Sequence, residues 1–193
     1  MKTKEEKRAH FDAIAPERGA WRRRNRAYYR FLDELLAFLV PRGASVLELG
    51  CGTGDLLAAL RPSRGVGLDL SERMVEQARR RYPAAERPEL EFVAGDAEAP
   101  AVEGTFDYVV MSDLVGELTD VWAAIRALRG LTHERSRVVV TFHNPLWEPV
   151  LRLGQRLGLA MPQHEQNWLH QDDVANFLAL NGWEVVREGR HLL

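Results

Sequence analysis

The chain has 193 residues, 46% of them apolar and 28% charged, with a formal net charge of −2. That size and balance predict one soluble globular domain large enough to bury a core, and the slight acidity excludes a mainly electrostatic nucleic-acid binder. The single cysteine, Cys51, excludes an intrachain disulfide and points to a reducing cytoplasm; there is no signal peptide and no apolar run of spanning length.

Residues 2–8 are densely charged, and Phe11-Asp12-Ala13-Ile14-Ala15-Pro16 follows them. Trp21-Arg22-Arg23-Arg24-Asn25-Arg26 is locally basic. It either meets an anionic acceptor or a membrane surface, or forms a solvated helix face, which is the reading adopted here. Residues 28–39 form an amphipathic to strongly apolar stretch that should pack on a sheet.

Residues 46–54 read Val-Leu-Glu-Leu-Gly-Cys-Gly-Thr-Gly. Val46, Leu47 and Leu49 suit a strand covered on both faces, and Glu48 lies near its carboxyl end, where ligands bind in open α/β sheets. Gly50, Gly52 and Gly54 let the backbone turn and approach a ligand closely. Asp55 then opens a helical stretch. The spacing is not the dinucleotide fingerprint G-x-G-x-x-G, whose third glycine slot holds Asp55, nor is it the phosphate loop, because no Lys-Ser or Lys-Thr follows. Asp55 would repel a pyrophosphate at that helix start, so a cationic or zwitterionic ligand suits the loop better.

Residues 65–70 predict a second strand ending near Asp69, about twenty residues past the glycine loop, where a carboxylate meets ribose hydroxyls. Leu70 follows, and Ser71 predicts an N-cap for a helix over 72–81. Strands are expected over 90–94, 106–111 and 136–142, followed by Gly95-Asp96-Ala97, Ser112-Asp113 and His143-Asn144-Pro145 respectively. Beyond them come a helix near 150–159, a polar loop with His164 and His170, a helix over 171–180 stopped by Asn181-Gly182, and a sixth strand at 183–186. Alternating strands and helices predict βαβ units and a parallel sheet.

Glu-x-Gly-x-Gly-x-Gly after the first strand, with Asp69 and Asp96 after the next two, resembles the class I S-adenosylmethionine (SAM)-dependent methyltransferases across residues 46–142. The resemblance implies a Rossmann-like three-layer αβα sandwich with a mostly parallel sheet of six or seven strands, the seventh missing here. It implies SAM as cofactor and S-adenosylhomocysteine as product. Glu48, Gly50, Cys51, Gly52, Gly54, Asp69, Leu70, Met74, Asp96, Ala97 and Ser112 then form the cofactor site. Asp69 would bond the ribose and Asp96, helped by the backbone of Ala97, the adenine amino group. Met74 would pack on the adenine or simply belong to the core.

The family implies a division into a helical lid segment (1–40), a SAM-binding core (41–142) and an acceptor-side segment with the last strand (143–193). The tail resembles methyltransferases found beside glycosyltransferase domains. Two departures stand out. A Leu-His-His-Leu-type sequence is replaced by Leu114-Val115-Gly116-Glu117-Leu118, and the terminal strand hairpin is absent, which implies a longer chain or edge pairing in a homodimer.

Methyl transfer is an in-line displacement that requires alignment and water exclusion. An oxygen acceptor also needs a base, for which Asp113 and His143 are the candidates, with His164 and His170 behind them. The acceptor is expected to be a small molecule, a sugar or a lipid-linked group. No metal is expected, since the histidine spacing fits no zinc template. Cys51 lacks an activator and is not expected to be a nucleophile. The competing readings are a binding or scaffold protein without transfer activity, and a nicotinamide-dependent oxidoreductase.

Overall fold

The computed structural model describes residues 3–143, 145, 148–157, 161 and 167–191. Three helices lead in: α1 (Lys4–Ile14), α2 (Arg18–Arg24) and α3 (Arg26–Leu39). The core then alternates β1 (Ser45–Leu49), α4 (Asp55–Leu60), β2 (Arg64–Asp69), α5 (Glu72–Arg81), β3 (Leu90–Ala94), β4 (Phe106–Ser112), α6 (Val121–Ala127) and β5 (Thr132–Thr141). Helices α7 (Glu148–Arg156) and α8 (Gln171–Leu180) follow.

The strands form one parallel sheet in the order β3-β2-β1-β4-β5. The order reverses beside β1, and in open α/β sheets the ligand crevice lies at that reversal, outside the carboxyl ends of the strands. The two-residue period of the strands divides the core into two layers. Leu47, Leu49, Val109 and Met111 pack on one face with Ala124, Ile125 and Leu128. Val46 and Val110 pack on the other, with Leu32 and Leu36 of α3, Leu57 of α4 and Val75 of α5. Glu48 belongs by parity to this second face, so its carboxylate is committed to a layer of apolar helices.

The helix ends follow local chemistry. Ser71 caps α5 by accepting from Met74 N at 3.1 Å, and arginines fill the last turn of that helix, where the dipole favours cations. Asp55, at the start of α4, accepts from Thr53 Oγ1 at 2.6 Å and from Tyr82 at 3.1 Å, and pairs with Arg81 at 3.0 Å. It joins α4 to α5 while keeping negative charge at the helix start.

The expected sixth strand does not form: residues 183–190 are irregular, and the sheet has five strands among the described residues. Gly182 turns the chain at φ 77°, and Arg129 holds Asn181 O from Nε at 2.8 Å. Trp183 packs on the core, while Val185 and Val186 remain exposed. One inward anchor uses up the apolar alternation before a strand can pair. Residues 158–159 of the expected penultimate helix lie outside the described residues, and that helix ends at Arg156.

Candidate functional site

The carboxyl ends of β1, β2 and β4 and the three leading helices enclose a cavity of about 380 Å³. Glu48, Gly50, Cys51, Gly52, Asp69, Leu70, Met74, Asp96, Ala97, Ser112, Asp113 and His143 all line it. The exception is Gly54. At φ +75° it is the αL N-cap of α4, and a Cβ there would lie 2.5 Å from the Phe92 ring and 3.3 Å from Ala78. Its role is packing of the loop on β3 and α5, not approach to a ligand. Gly52 is the opposite case: at φ +53°, a Cβ would meet only Arg18 Nε, at 3.8 Å. A Cβ there would make only an ordinary contact, though the positive φ still favours glycine.

Glu48 is 3% exposed. Its Oε2 has no hydrogen-bond partner among the described residues, and burial raises its carboxyl well above the ordinary range. A buried acceptor of this kind calls for a donor, and a ligand ammonium group satisfies it. Asp69 is half-buried. It ties two loops together, Oδ2 accepting from Gly52 N at 2.7 Å and Oδ1 from Ser71 N at 2.9 Å. Burial raises its carboxyl, and these two bonds oppose the rise. Each oxygen keeps a lone pair for a further donor, so a pair of ribose hydroxyls fits. The residues present therefore fit a zwitterionic nucleoside.

Asp96 lines the cavity as well, and its oxygens are already engaged. Oδ1 accepts from Glu98 N at 2.8 Å, and Oδ2 pairs with Lys4 at 2.6 Å. Lys4 also pairs with Glu98, at 2.6 Å. Lys7 beside it is 4% exposed. It donates to Glu117 O at 2.5 Å and to Thr119 Oγ1 at 3.3 Å, and burial lowers its ammonium pKa. Asp12 Oδ1 accepts from Ser71 Oγ at 2.6 Å. Helix α1 thus lies across the crevice, pinned at both ends.

At the other side, Asp113 follows β4 with φ +53°, an uncommon backbone state for a side chain larger than glycine. Tyr28 donates a short hydrogen bond to its Oδ2. Thr141 Oγ1 lies 3.4 Å from Oδ1, and His143 Nδ1 lies 4.0 Å from the same oxygen. The Tyr28 ring stacks on the His143 ring, with centroids 5.5 Å apart and planes 22° apart. Burial first and Asp113 second push the Tyr28 hydroxyl pKa upward, so it stays a donor.

Other expectations are corrected. Arg22 is not on a solvated face: it grips Asp33 at 2.6 Å, lies over the Tyr29 ring and lines the cavity. Arg23, Arg24 and Arg26 are exposed. His170 is the exposed N-cap of α8, away from the cavity, and His164 lies outside the described residues. Burial raises the Cys51 thiol pKa well above its usual value, against the thiolate a nucleophile needs. Arg18, Tyr28, Lys4 and Lys7 line the cavity without having been singled out. For Arg18 the available signal was its spacing of four, three and four with Arg22, Asn25 and Tyr29, a helical period that the chain interrupts at Asn25, between α2 and α3.

A parallel sheet with Glu-x-Gly-x-Gly-x-Gly after β1 and an aspartate ending β2 defines a class I SAM-dependent methyltransferase. A family model described as a methyltransferase domain matches residues 20–188, and the chain belongs to that family; this overturns the oxidoreductase reading.

Among curated proteins, it is 41% identical over 85 residues to a demethylmenaquinone methyltransferase of Shouchella clausii, covering 41% of this chain and 36% of that protein. It is 33% identical over 113 residues to a 2-phytyl-1,4-naphtoquinone methyltransferase of Thermosynechococcus vestitus, covering 55% and 49%. The match spans less than half the length of these relatives. Among solved structures, magnesium protoporphyrin IX methyltransferase from Synechocystis with bound S-adenosylhomocysteine superposes with a TM-score of 0.76 at 22% identity, over 97% of this chain and 92% of that one. A SAM-dependent methyltransferase from Thermotoga maritima gives 0.73 at 18%, over 93% and 82%. These likenesses carry the fold.

Proposed function

We propose that this chain transfers the methyl group of SAM to a small planar acceptor bearing an ionisable hydroxyl or acidic carbon, of the hydroquinone class. The observation that carries the reading is that two clusters line one cavity: Glu48 and Asp69, from the ends of β1 and β2, and Tyr28, Asp113 and His143. The names of the quinone methyltransferase relatives support the acceptor class, as does an acceptor side furnished with Tyr28, Tyr29, Leu32 and Met161. None of the relatives named above supports a glycan pathway.

Glu48 would receive the ammonium of the cofactor, Asp69 its ribose hydroxyls, and Asp96 its adenine amino group once Lys4 shares or yields Oδ2. Bound there, SAM supplies an electrophilic methyl on a sulfonium. The chain's part is to align the acceptor and exclude water, which α1 and α3 do by covering the crevice. His143 takes the acceptor proton. Asp113 stabilises the imidazolium that results, and Tyr28 holds Asp113 and stacks on the ring, so the base is fixed from two sides.

The test is transfer of labelled methyl from SAM to a panel of hydroquinones, phenols and sugars. Transfer to hydroquinones is expected, falling about 10²–10⁴-fold in His143→Ala with S-adenosylhomocysteine affinity retained. Tight binding of S-adenosylhomocysteine with no transfer to any acceptor would favour a binding or scaffold protein instead.

A further inference from the structure

Between positions 18 and 32 the chain holds six arginines and no acidic residue, although its net charge is −2. Two of the six line the cavity: Arg22, paired with Asp33, and Arg18, which donates to the Tyr29 hydroxyl. Arg30 pairs with Glu34 on the surface. Arg23, Arg24 and Arg26 remain. All three are exposed at the corner between α2 and α3, and none has a carboxylate partner among the described residues. Arg24 lies over the half-buried Trp21 ring, 5.5 Å from its centroid.

An apolar face adjoins this corner. Leu153 of α7 and Leu157 just past its end lie one turn apart, Leu157 N donating to Leu153 O at 3.0 Å, so their side chains share a face. They are 58% and 63% exposed, and Arg156 beside them is exposed too. Met161 lines the cavity, and its Sδ lies 3.6 Å from Nη1 of Arg18 at the start of α2. Leu157 is four residues before it, a reach of at most about 14 Å, so the leucines and the arginines belong to one rim. Arginines with a tryptophan and a leucine face suit the headgroup layer of a bilayer, the charges on lipid phosphates and the apolar groups at the acyl boundary. A nucleic acid or an acidic protein would match the arginines but leave the leucines in water. Helices α2 and α7, of seven and nine residues, are too short to span a bilayer, so the contact they offer is with its surface.

We propose that the α2–α3 corner and the Leu153–Leu157 face dock the cavity rim on an anionic lipid surface. Each free arginine gains from the negative potential of such a surface, a gain that salt screens, and each leucine that reaches the acyl boundary leaves water. The docking surface stands on its own observations. Its use, to admit a hydrocarbon-tailed acceptor from the bilayer into the cavity, rests on the proposed hydroquinone reading.

The experiment is flotation of the full chain with two kinds of vesicle, phosphatidylcholine alone and phosphatidylcholine mixed equally with phosphatidylglycerol. Wild type is expected to float with the mixed vesicles only, and less as salt is raised. Affinity for them should fall about 100-fold when Arg23, Arg24 and Arg26 are all changed to Gln, and about tenfold or more in the double variant Leu153→Ser, Leu157→Ser. Circular dichroism melting checks that each variant is folded, and the vesicle and salt comparisons need wild type alone. Wild type that floats with neither vesicle overturns the proposal, as does a folded leucine variant that floats like wild type. Poly-aspartate bound as tightly as the mixed vesicles also overturns it, in favour of an acidic macromolecule. Methyl transfer to a short-chain hydroquinone in buffer, expected to be unchanged in both variants, reports on the proposed function separately: it survives a failure of docking, and its absence in wild type that floats removes the acceptor route and leaves the docking surface supported.

Discussion

Glutamine at position 48 would set what the cradle needs against what the fold prefers. In the free chain, burial raises the Glu48 carboxyl well above its ordinary value of 4.5, and a hydrogen bond from the Leu57 backbone only partly opposes this. The native state therefore keeps a proton that the unfolded chain has already released. It binds the more protons across a window that opens near the unfolded pKa and closes at the folded one. Within that window stability falls as pH rises, by at most about 1.4 kcal/mol per pH unit for one group. Above the folded pKa, the penalty of an unpaired buried charge is fully present. Glutamine cannot ionise, so Glu48→Gln lacks this slope.

Urea unfolding of both proteins from about pH 5 to about pH 8 should show the variant gaining on the wild type as pH rises. The gain should reach about 1–3 kcal/mol, the penalty for a buried group without a partner. That corresponds to roughly 2–12 °C in melting temperature for a chain of this size. Binding should move the other way: S-adenosylhomocysteine should bind Glu48→Gln about tenfold or more weakly, because an amide accepts an ammonium less strongly than a carboxylate does. Parallel stability–pH curves for the two proteins would refute the assignment of an unpaired buried acid at position 48.

Gly54→Ala meets both a left-handed backbone and the Phe92 ring at 2.5 Å, so it should lose about 2–4 kcal/mol by denaturant unfolding. Gly52→Ala shares the left-handed backbone but meets only Arg18 Nε, at 3.8 Å, so it should lose less stability, and calorimetry should show the larger effect on cofactor affinity. Asp69→Ala removes the acceptor for Gly52 N and Ser71 N, so S-adenosylhomocysteine binding should weaken by about 1–3 kcal/mol with a comparable fall in stability; unchanged affinity would take Asp69 out of the site. Tyr28→Phe keeps the ring on His143 but deletes the bond to Asp113. Its cost in stability should be about 1 kcal/mol by denaturant unfolding, and methyl transfer should fall with it as Asp113 loses its anchor.

Much of the architecture was legible because it is written locally. The apolar run at 46–49 and the glycines after it announce β1 and its loop, and Ser71 with Glu72 and the terminal arginines marks α5 at the bounds observed, Glu72–Arg81. A period of two or of 3.6, a cap and a turn residue are properties of short segments, and short segments carry them into the fold unchanged. The same holds for the residues proposed to hold the cofactor, which the strand ends deliver in order to one edge of the sheet. Position 54 shows the limit of this reading. Glycine there was read as room for a ligand, and only the Phe92 ring, 38 residues on, shows that the room is filled by protein.

What the tertiary structure decided is how the leading helices close over the cavity. Lys4 meets Asp96 across 92 residues, and Tyr28 meets Asp113 across 85; no local pattern encodes such pairings, since they depend on how three leading helices fold back over the sheet. That packing also turned Arg22 from a solvated charge into a cavity wall and left Arg18 above the glycine loop. The strand expected at 183–186 failed for the same reason. Alternation makes a strand available, but a strand forms only where an edge is within reach, and the turn at Gly182 and the anchor at Trp183 directed the chain elsewhere. Sequence determined the sheet and its glycine loop because those follow from neighbours along the chain; contacts between distant residues settled which charges and rings close over them.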